Sequence, residues 1–176
     1  MCALRPDDKN LQRRVAVYYQ QAKQFDKAIV AYRRLLDGAA TNEEGQQYSM
    51  MVGQVLLQSG KKQEAVEWMK SSLGKEGAGA RELGMLSMFY EQAGMAAEAE
   101  GALSQAENAA RSAPDKAEYK VRRGELALRR KDYTKAEELI RGALKDCPDN
   151  TALASKVSFA LKRLDAAKGA GAPAKQ

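Results

Sequence analysis

Four alanines, Ala28, Ala65, Ala99 and Ala136, recur at intervals of 37, 34 and 37 residues, each between a short polar stretch and an apolar run. The segments read Phe25-Asp-Lys-Ala28-Ile-Val-Ala-Tyr32, Lys62-Gln-Glu-Ala65-Val-Glu-Trp-Met69, Ala96-Ala-Glu-Ala99-Glu-Gly-Ala-Leu103 and Tyr133-Thr-Lys-Ala136-Glu-Glu-Leu-Ile140. A repeating unit of this length cannot bury its own apolar face, so neighbours must stack. The period therefore predicts a helical repeat array with a long surface, of the kind that binds proteins rather than catalyses reactions.

Composition agrees with helix. In 176 residues, 44% are hydrophobic, enough for a continuous core, and there are only 14 Gly and 4 Pro. The abundant Ala, Glu, Lys, Leu, Arg and Gln are strong helix formers, so the fold class is all-α. Apolar residues at three- and four-residue spacing place first helices near 8–22, 43–59, 79–93 and 115–130. Their partners run near 25–38, 62–75, 96–112 and 133–146, with turns marked by Gly60, Gly94 and Lys131-Asp132.

A fifth amphipathic segment, about 150–168, follows Pro148-Asp149-Asn150-Thr151 and carries Leu153, Val157, Leu161 and Leu164 on one stripe. It reads as a capping helix whose Lys156, Lys162 and Arg163 stay in water. The expected organisation is a single array over 1–168, with units 9–42, 43–79, 80–114 and 115–149, the cap at 150–168, and a disordered tail at 169–176.

Pro-Asp dipeptides at 6–7, 114–115 and 148–149 supply a second register on the same units. In it, residues 2–6 correspond to the end of a second helix whose own repeat is missing, so the chain reads as starting mid-repeat. A piece excised from a longer array and an irregular natural start both fit.

The residue inventory excludes most catalytic chemistry. With no histidine, the commonest general base and metal ligand is missing, as is every Ser-His or Cys-His nucleophile. No glycine-rich phosphate loop or metal-ligand spacing occurs, so a nonenzymatic chain without cofactor or metal is expected. Cys2 and Cys147 sit at opposite ends of a stiff array, which argues against an intramolecular disulfide and leaves the compartment open. No apolar run reaches transmembrane length and the first residues lack a secretory signal. The expectation is a soluble chain, cytoplasmic by default, with Met1-Cys2 leaving a lipid-anchored envelope protein as a minor alternative.

The pattern resembles the tetratricopeptide repeat family, whose 34-residue unit carries a loose signature of Trp, Leu-Gly, Tyr, Ala, an aromatic, Ala and Pro. Small residues stand at its two close-contact positions, as Ala16, Gly53, Ser87 and Gly124 in first helices and as the four alanines in second helices. Large residues fill the complementary positions, including Val52, Leu56, Leu86, Tyr32, Met69, Leu103 and Ile140. Departures are Gln12, Leu83 or Lys120 for the leading tryptophan, Arg123 for the usual leucine, and Glu107 for a late apolar residue. The resemblance implies an α-solenoid of about four helical hairpins plus the C-terminal cap.

In that family the first helices line a concave groove that receives a partner peptide or helix. Carried over by position, the lining is Asn10, Arg13, Arg14, Val17 and Gln20, then Gln47, Met50, Met51, Gln54 and Leu57. It continues with Arg81, Met85, Met88 and Glu91, then Glu118, Arg122, Glu125 and Arg129. The methionines are flexible and polarizable, suited to varied apolar anchors, with Met51 and Met85 equally placed for core packing. The family's carboxylate clamp for chaperone tails would fall on Arg13, Val17, Met51, Arg81 and Met85, which lack its asparagines, so that adaptor role is disfavoured. Trp68 reads as packing between second helices, and Tyr48 and Tyr119 as inter-unit packing.

The formal charge of +6 is interleaved with acids, which favours solvated helix faces over a nucleic-acid stripe. The leading expectation is a noncatalytic scaffold that binds a segment of another protein in the groove. Two alternatives stand beside it: nucleic acid or an anionic surface held by Arg13, Arg14, Arg122 and Arg129, and a structural spacer within a longer array. Partner identity and oligomeric state stay open.

Overall fold

The structure, a computed structural model, describes residues 8–73 and 77–170. The described residues form α1 (Lys9–Gln21), α2 (Phe25–Asp37), α3 (Asn42–Gln58), α4 (Lys62–Leu73), α5 (Ala80–Ala93), α6 (Ala96–Ala109), α7 (Ala113–Arg129), α8 (Tyr133–Asp146) and α9 (Thr151–Ala170), with no strand among them. The expected last residues of α4, 74–75, and residues 171–176 of the expected tail lie outside the described residues. Gly169 and Ala170 do not belong to a tail; they continue α9, because Ala166, Ala167 and Lys168 are good helix formers that carry the last turn across the glycine.

Four turns end first helices in one way. Lys23, Gly60, Gly94 and Lys131, each five residues before a marker alanine, have φ of 56°, 81°, 85° and 61°. The next amide in each turn donates back to a carbonyl five residues earlier: Gln24 to Tyr19, Lys61 to Leu56, Met95 to Tyr90 and Asp132 to Ala127, at 2.8–3.0 Å. This is the Schellman arrangement, which satisfies carbonyls left over at a helix end and requires the left-handed conformation that glycine adopts without strain. Gly60 and Gly94 meet the requirement directly, whereas Lys23 and Lys131 adopt it at a cost, which is why no sequence signal marked the first turn.

Helix starts are capped by side chains. Asp8, Thr41, Ser112, Asp132 and Asn150 each accept from the amide three residues on, at 2.9–3.2 Å. Glu44 closes a local network, accepting from the Ala40 amide at 2.7 Å, the Tyr48 hydroxyl at 3.2 Å and Lys9 Nζ at 3.3 Å. The Ala40 hydrogen bond is the largest of the influences that hold its carboxyl below the ordinary value.

The chain forms two compact units, Met1–Gly77 with Met88–Met95 and Ala78–Ser87 with Ala96–Gln176. In unit 1, α2 buries Ala28, Ile29, Tyr32 and Leu35, the one-sided spacing of an amphipathic helix, against Ala16 of α1 and Tyr48, Val52, Val55 and Leu56 of α3. The Tyr32 hydroxyl donates to Gln20 Oε1 at 3.0 Å, and Gln20 Nε2 donates to Gln58 Oε1 at 2.9 Å, linking α1 to α3. Burial raises the Tyr32 phenol above its ordinary value. Gly53 has a packing reason: a Cβ there would lie 2.6 Å from Met69 Sδ and 2.8 Å from Phe89 Cε1. Trp68 is half-buried against this core, donates to the Ser49 carbonyl at 3.0 Å and carries the Arg33 guanidinium 4.8 Å from its ring centre, so it packs between α2, α3 and α4.

In unit 2, a Cβ at Gly124 would sit 2.6 Å from Ile140 Cγ1 and 3.2 Å from the Ala136 carbonyl, so α7 and α8 meet at the same pair of small positions. Leu153, Val157, Ala160 and Leu164 of α9 are buried on α7 and α8. Leu161, expected in that stripe, is only half-buried at its edge, and Ala160 takes the central place because its methyl allows close helix approach. Tyr119 reaches over Gly84, where a Cβ would lie 2.8 Å from its ring.

Three departures from the repeat pattern meet in unit 2. Arg123 Nη1 donates to Glu107 Oε2 at 2.7 Å, with side chains 19% and 16% exposed, and Lys120 Nζ lies 2.5 Å from Asp146 and 3.9 Å from Glu107. Glu100 extends the cluster to Arg123 at 3.8 Å, Arg130 at 3.3 Å and Lys135 in close contact. The hydrogen bond from Lys135 is the main reason the Glu100 carboxyl is held below its ordinary value. A lost apolar contact between α6 and α7 is thus replaced by a partly buried ion pair, and neither substitution makes sense without the other.

Candidate functional site

The marker alanines give every first-helix residue a register. Eighteen before them stand Asn10, Gln47, Arg81 and Glu118; fourteen before, Arg14, Met51, Met85 and Arg122; eleven before, Val17, Gln54, Met88 and Glu125. These positions are three, four and seven apart, so within any one helix they share a face.

On the first-helix face of unit 1, Asn10 and Gln47 are exposed, as are Arg13 and Arg14, which have no ion-pair partner among the described residues. Val17 is 36% and Met88 48% exposed, at one register position and with half-buried Gln54 holding that position between them in sequence. Met50 is half-buried, and Met51 and Leu57 are half-buried against the core. Gln20 is engaged with Tyr32 and Gln58. The face therefore offers two apolar side chains to solvent, flanked by unpaired cations.

The first-helix face of unit 2 is more self-contained. Arg122 Nη2 donates to the Gly84 carbonyl at 3.1 Å and to Ser87 Oγ at 3.3 Å, with its guanidinium 5.8 Å from the Tyr119 ring centre. Burial raises the Tyr119 phenol. Glu118 pairs with Lys156 at 2.6 Å and Glu125 with Arg163 at 3.3 Å, so α9 neutralises both acids. Arg81 and Arg129 are exposed and Met85 is half-buried.

Sequence reasoning missed Phe159, which is 62% exposed on α9 with the Arg163 guanidinium 6.0 Å from its ring centre. The 34-residue step between the last two Pro-Asp pairs, added to Glu125, lands on it and could have found it. It borders an open depression of about 550 Å³ with Ala154, Ser155, Ser158 and Lys162. Among the described residues there is no group of His, Cys, Asp and Glu suited to a metal ion, and no helix long and apolar enough to cross a membrane.

Known proteins place this architecture. No curated protein sequence matches the chain. Among solved structures, a putative kinesin light chain from Podospora anserina with nearly identical TPR-like repeats superposes with a TM-score of 0.57 at 13% identity, over 96% of this chain and 98% of that one. PilF of Pseudomonas aeruginosa gives 0.54 at 16%, covering 95% and 78%, and MamA gives 0.52 at 16%, covering 92% and 86%. At these identities the likeness is one of fold, the TPR-type α-solenoid. The sequence profile of the tetratricopeptide repeat matches residues 14–81 and 91–151, most of the chain, and with the shared register this places the protein in the tetratricopeptide repeat family.

Proposed function

We propose that this protein is a noncatalytic scaffold that holds an extended or helical segment of another protein along its first-helix face. The observation that carries the reading is the pairing of Val17 with Met88: two solvent-exposed apolar side chains at one register position, where a structural role predicts a polar residue. Exposed Arg13 and Arg14 beside Val17 favour a segment with acidic residues flanking its apolar anchors, steered by the net charge of +6. Met50 and Met51, both half-buried in unit 1, supply adaptable walls rather than fixed pockets, and half-buried Met85 offers the same on the first-helix face of unit 2. In unit 2 the engagement of Arg122 and Glu125 within the fold makes them supports of the face more than direct contacts.

The test is affinity capture from the source cell's lysate, comparing the intact chain with a Val17→Glu, Met88→Glu variant at low and moderate salt. Retention of a protein by the intact chain at moderate salt, and its loss with the variant, supports the scaffold. Nucleic acid that elutes with salt equally from both would replace it with electrostatic binding through the arginines. Equal capture of the same protein by both would remove the apolar anchors from the account.

A further inference from the structure

Seven methionines occur in the chain, six of them among the described residues. Met69 is fully buried, its sulfur packed against the α3 backbone where a Cβ on Gly53 would lie 2.6 Å away. Met50, Met51, Met85 and Met95 are half-buried, whereas Met88 is 48% exposed. Among the described methionines, only Met88 opens its thioether broadly to dissolved molecules.

An accessible thioether reacts with hydrogen peroxide. A sulfur lone pair attacks one peroxide oxygen, the S–O bond forms as the O–O bond breaks, and the departing hydroxide takes the proton left on the transferred oxygen to leave as water. Sulfur gives up the two electrons that reduce the peroxide. The product, methionine sulfoxide, is polar and chiral where a flexible apolar side chain stood, and methionine sulfoxide reductases reverse it.

The place of Met88 makes this a switch instead of a lesion. Its chain neighbours Ser87 and Phe89 are buried, so α5 stays anchored around it while the modified sulfur meets water. On the first-helix face of unit 1 the other exposed apolar side chain, Val17, has no group that peroxide oxidises, and Gln54 at the intervening register position is already polar. Oxidation therefore removes one of two apolar anchors and leaves Val17, Arg13 and Arg14 as they were.

We propose that Met88 is a reversible oxidation site whose sulfoxide releases a segment bound on the first-helix face of unit 1. The release rests on the scaffold reading of that face; the oxidation site rests only on how deeply each methionine is buried.

The chain is treated with hydrogen peroxide and sampled over time for peptide mapping, with tandem fragmentation because Met85, Met88 and Met95 share the tryptic peptide 82–111. Sulfoxide should form at Met88 at least about fivefold faster than at Met69, and ahead of the half-buried methionines. Far-UV circular dichroism should stay unchanged, and the two methionine sulfoxide reductases with dithiothreitol should restore Met88. Equal rates at Met88 and Met69, or loss of helix in step with Met88 oxidation, overturns the site. Chain oxidised at Met88 then enters lysate capture at moderate salt beside untreated, re-reduced and Met88→Leu chains. Protein retained by the untreated chain should fall at least about fivefold on oxidation, because a sulfoxide oxygen would be buried without a partner, and should return on re-reduction. The Met88→Leu chain, whatever its own level, should retain the same amount before and after peroxide. Undiminished retention after Met88 oxidation, or an equal fall with Met88→Leu, overturns the switch. No protein retained by the untreated chain overturns the scaffold reading and the switch together, while the peptide map alone decides the oxidation site.

Discussion

One substitution, glycine to alanine in the middle of a helix, is expected to have opposite signs at two positions of unit 2. Gly101 lies exposed within α6, and a Cβ built there meets nothing within 4 Å. Alanine should therefore stabilise the helix by about 1 kcal/mol through the reduced entropy of the unfolded chain and better helix propensity. At Gly124 the same propensity gain applies, but the new methyl falls 2.6 Å from Ile140 Cγ1 and 3.2 Å from the Ala136 carbonyl. Ile140 is fully buried and Cγ1 is not the tip of a flexible side chain, so α7 and α8 must separate. Overpacking of this kind costs roughly 1–3 kcal/mol, leaving a net loss of about 1 kcal/mol after the propensity gain. The two variants should differ by about 2 kcal/mol. Urea unfolding followed by circular dichroism reads this directly: with m near 2 kcal/mol/M, each midpoint moves by about 0.5 M, upward for Gly101→Ala and downward for Gly124→Ala. Equal upward shifts would show that the α7–α8 contact is looser than the structure has it and would refute the packing argument.

The Arg123–Glu107 pair should behave as a unit: Glu107→Leu alone should cost about 1–3 kcal/mol by removing the hydrogen-bonded partner of a mostly buried guanidinium and leaving it only Glu100 at 3.8 Å, and adding Arg123→Leu should recover most of it, measured as a double-mutant cycle. Because Lys135 holds the Glu100 carboxyl below its ordinary value near 4.5, this group adds stability above that pH and the contribution is lost as pH falls below it through the folded-state value. Acid titration of Glu100→Gln should therefore show a shallower loss below about pH 4.5 than the intact chain, and an unchanged profile would contradict the assignment. Lys131→Gly should raise the unfolding free energy by about 1 kcal/mol, since it relieves a left-handed residue at the place where Gly60 and Gly94 already stand in other turns. Glycine at exposed Glu138, in the middle of α8, should instead lower it by a similar amount, and calorimetry separates the two.

The helices, their order and their small contact residues were legible in sequence because they follow from local periodicity. The marker alanines, Gly53 and Gly124 recur at fixed spacing, and a face that repeats every turn needs no knowledge of its neighbour. The register also placed Val17, Met50, Met51, Met85 and Met88 on first helices. What sequence did not contain was how deep each of these sits. Met51 and Met88 are both methionines on first helices, yet one rests against the core and the other is nearly half exposed. That difference is set by side chains from other helices, tens of residues away in sequence.

The charged residues divide in the same way. Lys120, Arg123 and Glu107 looked like three separate lapses from the family pattern, and only the packing of α6 on α7 joins Arg123 to Glu107 and draws in Lys120. Arg122 read as a groove cation like Arg14, but the Gly84 carbonyl and Ser87 take its donors, while the equivalent side chain in α1 is exposed. Sequence by itself determined an all-helical repeat array and the face of each helix, because both are encoded in spacings shorter than one unit. Tertiary structure alone decided which polar groups are neutralised and which apolar ones, Val17, Tyr18, Met88 and Phe159, are left to solvent, because burial depends on what the neighbouring helices place against each side chain.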